Sequence, residues 1–341
     1  MYTKETFCNF VFKRNWEKTN SIVKSKPYRE FCIPKKNGFR TISYLDKTSE
    51  LALLQKNLVD NFLNKQPLPV CVKGFRKNES YNSFLLTHVG ARYFLRIDIK
   101  SFFPSLKKEL IKRELSNIIN CDSETEKNEM LETICEVVTL NESLPQGACT
   151  SPGISNLVMA RIDQRILKYC QVLGIKYTRY ADDLLFSSDD FCFYDKRWFL
   201  KKIKHILSYN QLELNYTKLK YGENEIVLNG YIISENGIRL SRRRLSDIRH
   251  IVSAVDKHLE IIKSGKEKEF LQKINEVDLR YRNIDGRDFS TSFQVVQYLC
   301  GYRSFLISML NEEYSDTNNQ KELRRLIRRI ENQVGQLNTV N

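Results

Sequence analysis

Apolar residues near the C-terminal end of the chain recur at the spacing of a helix. Between positions 245 and 262 they follow one another at intervals of three and four residues. Ser241 is of the residue type preferred at a helix N-cap, and Gly265 of the type preferred just after a helix end. The apolar positions are Leu245, Ile248, Val252, Val255, Leu259 and Ile262. They form one stripe and predict a single amphipathic helix.

Residues 91–231 alternate between strand-like and helix-like segments. In residues 93–99 the odd positions are apolar, which places Asp98 on the opposite face of a predicted strand. The runs 175–179 and 184–187 are rich in strand formers and flank a short turn, so they predict a hairpin. With the helical pattern that follows Ser241, these segments predict an α+β fold.

The charge balance adds a partner class to this picture. The 341 residues include 55 Lys and Arg against 41 Asp and Glu, a net charge of +14. Such an excess suits a polyanion such as nucleic acid, although a solvated basic face or an anionic membrane surface would also account for it. No apolar run approaches the roughly 20 residues of a membrane span, and the N-terminus has no apolar signal core. We therefore expect a cytoplasmic protein without a membrane partner.

Cysteine and histidine spacing argues against a zinc site. None of the nine cysteines forms a Cys-x-x-Cys pair, and none of the four histidines has zinc-ligand spacing. In a reducing compartment the cysteines are expected to be free thiols. A bound metal would be held mainly by carboxylates, which favours Mg²⁺ or Mn²⁺.

The strongest local signal for chemistry is the pair Asp182 and Asp183 at the tip of the predicted hairpin. Taken alone, the pair also fits an exposed acidic turn. Asp98 changes this interpretation, because it stands near the end of another predicted strand. If the two strands pair, three carboxylates meet and can hold two divalent ions roughly 3.5–4 Å apart, the spacing used for in-line phosphoryl transfer.

An ordered series of segments resembles the reverse transcriptases of bacteria, the group that includes retron and group II intron enzymes. The series begins with a fingers motif and continues through the first catalytic motif, a nucleotide-pocket motif, the catalytic box, a lysine segment and the primer grip. Cys149 stands where the nucleotide-pocket motif usually has proline. The segments are 33–40, 96–105, 144–152, 180–183, 212–218 and 228–232.

The resemblance implies a right-hand polymerase fold with fingers, a palm (antiparallel sheet plus helices) and a helical thumb. The expected division is 1–90 for the N-terminal region and fingers, 91–235 for the palm with interspersed fingers elements, and 236–341 for the thumb and an RNA-binding region. It also implies two Mg²⁺ ions, for which Mn²⁺ can substitute. Their expected ligands are Asp98, the backbone of Ile99, Asp182 and, as a weaker or structural third carboxylate, Asp183.

Further roles follow from the same resemblance. Lys35, Lys36 and Arg40 offer cations to the incoming deoxynucleoside triphosphate, since arginine suits bidentate phosphate contact. Gln146 and Gly147 are expected to line the nucleotide pocket. Lys218 either donates a proton to the leaving pyrophosphate or offsets its charge. Two basic helices follow from the residue pattern itself, and each fits either a solvated face or a nucleic-acid contact. Residues 324–329 predict the second of them, and the thumb arginines expected to bind nucleic acid are Arg242, Arg243, Arg244 and Arg249.

Phe103 bears on the choice of sugar. It stands five residues after Asp98, where reverse transcriptases carry an aromatic ring beneath the sugar that leaves no room for a 2′-hydroxyl. This favours deoxynucleotides and disfavours an RNA polymerase. The alternative is that Phe102 faces the pocket, or that both rings belong to the core.

In its compactness the chain resembles the retron enzymes, which prime from a 2′-hydroxyl of their own structured noncoding RNA and make branched RNA-linked DNA. Two segments depart from that pattern. Residues 84–88 retain only His88 of an Asn-Ala-x-x-His motif, and residues 228–230 read Leu-Asn-Gly where Val-Thr-Gly is usual. The expected function is therefore an RNA-directed DNA polymerase, retron-type, in antiphage defence with an effector protein. The alternatives are another defence reverse transcriptase, untemplated or differently primed, and a binding module that restrains an effector.

Overall fold

A computed structural model of the chain describes residues 3–35, 38–277, 288–310 and 318–339. The chain divides into two compact units, Met1–Asn224 and Glu225–Asn341. The predicted three-part division has different limits and stays a prediction.

The first unit is mixed in secondary structure, and short polar side chains begin several of its helices. Asn15, Ser49 and Ser123 each accept a hydrogen bond from a backbone N–H in the first turn, as N-cap residues do. Cys8–Phe12 forms a π-helical turn. The α-helices are α1 (Lys4–Phe7), α2 (Trp16–Val23), α3 (Glu50–Asn61), α4 (Tyr81–Leu86), α5 (Phe102–Ser105), α6 (Lys108–Ser116), α7 (Glu124–Val138), α8 (Ser151–Val172) and α9 (Trp198–Ser208).

Two antiparallel sheets lie in the first unit. The first two strands pair with each other along their whole length. The other four form one sheet in the order β4-β5-β3-β6, so the hairpin β4-β5 lies beside β3. The strands are β1 (Arg29–Lys35), β2 (Gly38–Tyr44), β3 (Tyr93–Asp98), β4 (Lys176–Tyr180), β5 (Asp183–Ser188) and β6 (Lys220–Glu223).

Aromatic and aliphatic side chains pack the four-stranded sheet against its helices. The rings of Tyr177 and Phe186 stack at 4.9 Å between centroids, and Phe186 meets Phe199 of α9 edge-on at 5.3 Å. Ile162 and Ile166 of α8 are buried in the same cluster. Burial of this apolar area is the main stabilising term for the unit, and it fixes the strands whose ends carry the carboxylates.

The second unit combines a small sheet with long helices. Its strands β7 (Glu225–Leu228), β8 (Tyr231–Ser234) and β9 (Gly237–Leu240) form an antiparallel meander. Its helices are α10 (Arg242–Lys263), α11 (Glu267–Asn275), α12 (Ser292–Ser308) and α13 (Asn318–Asn338). The predicted primer-grip segment, 228–232, lies in this unit.

The stripe predicted between positions 245 and 262 is confirmed as the buried face of α10. Ser241 caps the helix by accepting from the backbone N–H of Arg244, and Gly265 follows the helix end with a φ of +77°. The predicted second basic helix is also confirmed, since 324–329 lies within α13. None of the helices in the described part of the chain is both long and apolar enough to cross a bilayer.

Candidate active site

Strand pairing collects the three acids at one end of the sheet. Asp98, the last residue of β3, lies directly opposite Asp183, the first residue of β5. Tyr180 pairs with Asp183 across the hairpin, so Ala181 and Asp182 form a two-residue turn. Ala181 adopts a φ of +55°, in the left-handed region, as a tight turn requires. The backbone N–H of Ile99 donates to the carbonyl of Asp182 at 3.0 Å and ties this turn to the end of β3.

Asp98 is held by two neighbours from the segment before β6. Lys218 Nζ lies 2.8 Å from its Oδ2, and Asn215 Nδ2 donates to its Oδ1 at 2.9 Å. The backbone N–H of Asn215 also donates to the Asp98 carbonyl at 2.8 Å. Asp98 is only 2% exposed, so these contacts replace most of the water that an ionised carboxylate requires.

Asp183 faces a different cation, Arg96. The guanidinium donates to Asp183 Oδ1 from Nε at 2.9 Å and from Nη2 at 2.5 Å. Both side chains are buried. Arg96 precedes Asp98 by two positions on β3 and therefore shares its face of the strand. A buried carboxylate bound in this way is a structural partner of the sheet as well as a candidate metal ligand.

The surroundings of Asp182 disfavour the ionised form of its carboxyl group. Burial, together with the negative charges of Asp183 and Asp98, raises the pKa of its carboxyl to about 6. A divalent cation at this point would offset all three charges at once. The oxygen donors of Asp98, Asp182 and the Ile99 backbone are of the hard type that Mg²⁺ and Mn²⁺ prefer, so the residues fit such an ion.

Two of the carboxylates are bound by partners from the protein itself. Among the described residues, no three His, Cys, Asp or Glu side chains converge as a ready cation site. Asp183 is engaged by Arg96, and Asp98 is engaged by Lys218 and Asn215. To bind a metal ion, Asp98 would therefore have to give up its ion pair with Lys218.

A buried polar network supports the turn that carries Asp182. Arg179 of β4 forms a bidentate ion pair with Asp163 of α8, with Nη2 and Oδ2 2.8 Å apart. Its Nη1 donates to the carbonyl of Ala181 at 3.1 Å, and its Nη2 donates to Asn156 Oδ1 at 3.1 Å. Tyr177 donates to the same Asp163 carboxylate. The network thus links the long helix α8 to the turn that carries Asp182.

The network extends to a loop that borders the site. Asn156 Nδ2 donates to the Gly74 carbonyl at 2.9 Å, and the backbone N–H of Gly74 donates to the Arg179 carbonyl. A Cβ at Gly74 would lie 2.6 Å from the backbone nitrogen of Ala181. Only glycine therefore allows this loop to lie against the hairpin.

A cavity of about 490 Å³ opens in front of the carboxylates. It brings together most of the residues predicted for catalysis and for nucleotide binding in the first unit. Its lining consists of Arg40, Ile42, Phe75, Asp98, Ile99, Lys100, Ser101, Phe102, Phe103, Gln146, Gly147, Ala181, Asp182, Asn215 and Lys218. Charged and polar side chains beside aromatic rings are the lining expected of a nucleotide site.

Both phenylalanines after Asp98 line the cavity, but they differ in exposure. Phe102 is only 5% exposed and belongs to the core. Phe103 is half-buried, and its ring centroid lies 6.3 Å from that of Phe75, which is 46% exposed. This difference favours Phe103 as the ring that meets a sugar.

Gly147 permits a close approach, but its neighbour in the structure is protein. Its φ is +125°, and a Cβ there would lie 2.6 Å from the Ser43 carbonyl oxygen of β2. The backbone N–H of Ser43 donates to the Gln146 carbonyl at 2.7 Å. Gly147 was predicted from the sequence to line the nucleotide pocket. It therefore also allows the loop that carries Gln146 and Gly147 to lie against β2.

The remaining predicted residues are not among those that line this cavity, or they lie outside the described residues. Lys36 lies outside the described residues, as does the side chain of Lys35. The four thumb arginines belong to the second unit, where Arg242 and Arg243 are exposed. Arg249 forms an ion pair with Glu322. Arg244 packs its guanidinium over the rings of Tyr231 and Phe305, at 4.8 and 4.3 Å from their centroids.

His88, the remnant of the retron-like motif, is completely buried in the first unit. Its two ring nitrogens lie 2.7 Å from Ser187 Oγ and 2.7 Å from Thr178 Oγ1. Burial, with a smaller contribution from the positive charge of Lys176, lowers the pKa of His88 to about 3. Any influence on a bound RNA would therefore be indirect, through the packing of β4 and β5.

Sequence reasoning missed several residues of this site. Arg96 shares a strand face with Asp98, which was a usable signal. Asn215 lies inside the recognised segment 212–218, yet only its lysine was singled out. Phe75 and Asp163 gave no local signal, because their roles depend on contacts between distant segments.

Comparison with known proteins agrees with this geometry. Residues 33–233, more than half of the chain, match the reverse transcriptase (RNA-dependent DNA polymerase) family. The chain belongs to this family. The match includes both carboxylate-bearing strands, the cavity and the first strands of the second unit. The predicted α+β class and right-hand polymerase fold are thereby confirmed.

Several individual relatives are retron enzymes of bacteria. The retron Mx162 reverse transcriptase of Myxococcus xanthus is 33% identical over 173 residues, which are 47% of this chain and 35% of that protein. The retron Ec86 reverse transcriptase of Escherichia coli is 28% identical over 233 residues, 65% of this chain and 68% of that protein. The chain thus spans about a third of the first relative's length and two thirds of the second's. The similarity to retron-type enzymes predicted from the motifs is confirmed.

Among solved structures, telomerase from Candida albicans in complex with a TWJ fragment of telomeric RNA aligns with a TM-score of 0.47. Sequence identity is 14%, over 92% of this chain and 65% of that chain.

Proposed function

We propose that this chain is an RNA-directed DNA polymerase that adds deoxynucleotides to a primer by two-metal nucleotidyl transfer. The observation that carries the proposal is that Asp98 and Asp182 line one cavity with Arg40 and Phe103. Asp183 lies directly opposite Asp98 in the adjoining strand. Metal ions bound there would neutralise the triphosphate and lower the pKa of the attacking hydroxyl. The substrates would be an RNA template, a primer and deoxynucleoside triphosphates.

The protein's own residues have separable tasks in this proposal. Asp98, Asp182 and the Ile99 carbonyl would hold the cations, and Arg96 would keep Asp183 oriented at the end of β5. The ammonium of Lys218 balances the charge of Asp98. With a cation bound at Asp98, the half-exposed ammonium of Lys218 would be available to the leaving pyrophosphate, where it would offset charge or donate a proton.

The sugar and the base would meet the aromatic side of the cavity. Phe103 would lie beneath the sugar and exclude a 2′-hydroxyl. Gln146 would contact the nucleotide from the loop that Gly147 joins to β2. Arg40 would contact the triphosphate, together with Lys35 and Lys36.

Primer extension tests the proposal directly. The purified chain is given an RNA template with an annealed DNA primer, deoxynucleoside triphosphates and Mg²⁺. We expect extension that stops on chelation and falls at least about 100-fold in Asp182→Asn, because a metal ligand is lost. Asp190→Asn is the matched control, since Asp190 is an exposed acid just beyond β5. Full activity of Asp182→Asn would refute the assignment.

We further propose a retron-type reaction, in which the template is a dedicated structured noncoding RNA and a 2′-hydroxyl of that RNA is the primer. Similarity to retron enzymes supports this, and antiphage defence with an effector protein in the cytoplasm is part of the same proposal. The test is to express the chain with its upstream genomic flank and to sequence small DNA that disappears in Asp182→Ala/Asp183→Ala.

The linkage of that DNA separates the alternatives. DNA joined to RNA through a 2′–5′ link, released by a debranching enzyme, would support the retron proposal. Unbranched DNA, or simple repeats without an RNA template, would assign the chain to another class of defence reverse transcriptase. Absence of any catalysis-dependent DNA, even under phage challenge, would favour a binding module that restrains an effector.

A further inference from the structure

A second, smaller cavity of the first unit is lined by three arginines. It has a volume of about 200 Å³ and lies between α6, α8 and the residues that follow α9. It shares no lining residue with the catalytic cavity described above. The residues around it are Arg113, Glu114, Arg161, Ile162, Arg165, Tyr209 and Asn210.

The charge of this cavity is unbalanced. Glu114 is the only acid among the described residues that line it. Its buried carboxylate accepts hydrogen bonds from Arg113 at 2.9 and 3.1 Å, and it lies 3.9 Å from Arg161. Arg165 has no ion pair within the described part of the chain. Three guanidiniums and one carboxylate leave a net charge of about +2. The guanidiniums repel one another unless an anion is present.

The arginines are arranged so that an anion can reach them. Arg161 and Arg165 are four residues apart on α8 and therefore project from one face of the helix. Both are exposed. Arg113 donates to the buried side chains of Glu114 and Asn210, which hold it at the edge of the cavity. Arg113 is thus held in place, Arg161 lies at the edge of an ion pair with Glu114, and Arg165 has no ion pair in the described residues. Guanidiniums suit a phosphate, since each can donate two parallel hydrogen bonds.

An aromatic ring stands at the rim of the same cavity. Tyr209 follows α9 and is 73% exposed, although burial would be favourable for a ring of this size. Exposed aromatic rings beside arginines are characteristic of surfaces that bind single-stranded nucleic acid, where bases stack on the rings and cations follow the backbone. The ring distinguishes this cavity from a site for a free phosphate ion.

We propose that this arginine pocket binds a backbone phosphate of an RNA strand, and that Tyr209 stacks on a neighbouring unpaired base. The pocket would hold part of the RNA away from the catalytic cavity. The choice of RNA as the polyanion rests on the proposed function, but the site itself is additional to the polymerase centre.

The test measures RNA binding across a series of salt concentrations. The probe is a fluorescently labelled RNA hairpin with a single-stranded arm, and its anisotropy reports the Kd. Arg161→Gln/Arg165→Gln should lower the slope of log affinity against log salt by about 1.4–1.8 and weaken binding at least about tenfold near 0.1 M salt. Tyr209→Leu should weaken binding about tenfold with an unchanged slope, because stacking releases no counterions.

The matched control is Lys168→Gln/Lys201→Gln. It removes two exposed positive charges from α8 and α9, and neither residue lines the pocket. Equal slopes and affinities for the arginine and lysine double variants would overturn the proposal. Unchanged RNA affinity with calorimetric binding of inorganic phosphate to the wild type alone would also overturn it, in favour of a free anion.

Folding and catalysis are checked separately. Circular dichroism and thermal unfolding must match those of the wild type; if the double variant fails this check, Arg165→Gln alone should still lower the slope by about 0.7–0.9. Primer extension by the wild type is a distinct readout. Its absence would refute the polymerase proposal while leaving the RNA-binding result intact.

Discussion

At the turn between β4 and β5, two of the three neighbouring carboxylates already have cationic partners. Arg96 engages Asp183 and Lys218 engages Asp98, so the uncompensated negative charge falls on Asp182. The two partners are not equivalent. Arg96 is buried with Asp183, whereas the Lys218 side chain is 52% exposed and can leave at low cost. We infer that Asp98 and Asp182 take the metal, while Asp183 keeps its arginine and anchors the sheet.

Phe103 supports a prediction about sugar choice. Phe103→Val should raise the ratio of ribonucleotide to deoxynucleotide incorporation at least about tenfold, because a smaller side chain admits the 2′-hydroxyl. Single-nucleotide extension with each triphosphate measures the ratio. Phe103→Tyr retains the ring and serves as the control. An unchanged ratio in the valine variant would move the gate to another residue, with Phe75 as the nearest exposed ring.

His88 supports a prediction about pH. Its folded-state pKa of about 3 lies below the ordinary value of 6.5, so the unfolded chain binds a proton that the folded chain does not. The resulting contribution is fully present above about pH 6.5 and is lost as the pH falls toward 3. Between pH 6 and pH 5 the wild type should lose about 1 kcal/mol more unfolding free energy than His88→Gln.

Urea unfolding at the two pH values gives this difference. The carboxylates titrate in both proteins, so their contributions cancel when the two losses of unfolding free energy are compared. The His88→Gln variant therefore controls for the rest of the chain. Equal losses in the wild type and the variant would mean that His88 titrates in the folded state as it does in the unfolded one.

The elements that carry the site depend on the buried Arg179–Asp163 pair. Asp163→Leu leaves the Arg179 charge buried without its partner and should destabilise the chain by about 3–5 kcal/mol. Arg179→Met/Asp163→Leu removes both charges and should recover a large part of that loss. The double variant should still extend primers poorly, because Ala181 loses the donor that fixes the catalytic turn.

A double-mutant cycle by urea unfolding measures this coupling. The exposed pair Arg92–Glu223 provides the comparison, and its coupling should be within about 1 kcal/mol of zero. Additive effects at Arg179 and Asp163 would contradict the network. Normal primer extension in a folded double variant would show that the turn does not need this support.

Elements defined by residues close together in the sequence were predictable, whereas contacts between residues far apart in the sequence were not. The stripe on α10 and its cap follow from residues within one or two turns of each other, so the sequence pattern was sufficient. The hairpin at Asp182 was predictable for the same reason. Arg96 and Asp183 are 87 positions apart, and Asn215 and Asp98 are 117 apart. Their pairing depends on strand register, which alternation alone does not determine.

Across the whole molecule, the charge of +14 indicated a polyanionic partner but did not identify the cations that are available to it. In the second unit, Arg249 is neutralised by Glu322, and Arg329 is neutralised by Asp256. Arg244 is occupied by the aromatic rings of Tyr231 and Phe305. Composition counts all of these as equivalent charges, whereas their capacity to bind phosphate depends on partners that only the fold reveals.

The thumb arginines should therefore differ in their contribution to nucleic-acid binding. Arg242 and Arg243 are exposed and have no ion pair in the described ranges, so their replacement by Gln should lower the salt slope for a primer-template duplex by about 2. Arg249→Gln should leave the slope nearly unchanged, because Glu322 already offsets its charge. Filter binding at several salt concentrations compares the variants. A reversed order would mean that Arg249 leaves Glu322 for the phosphates when nucleic acid binds, and that ion pairing in the free protein does not predict which arginines release counterions.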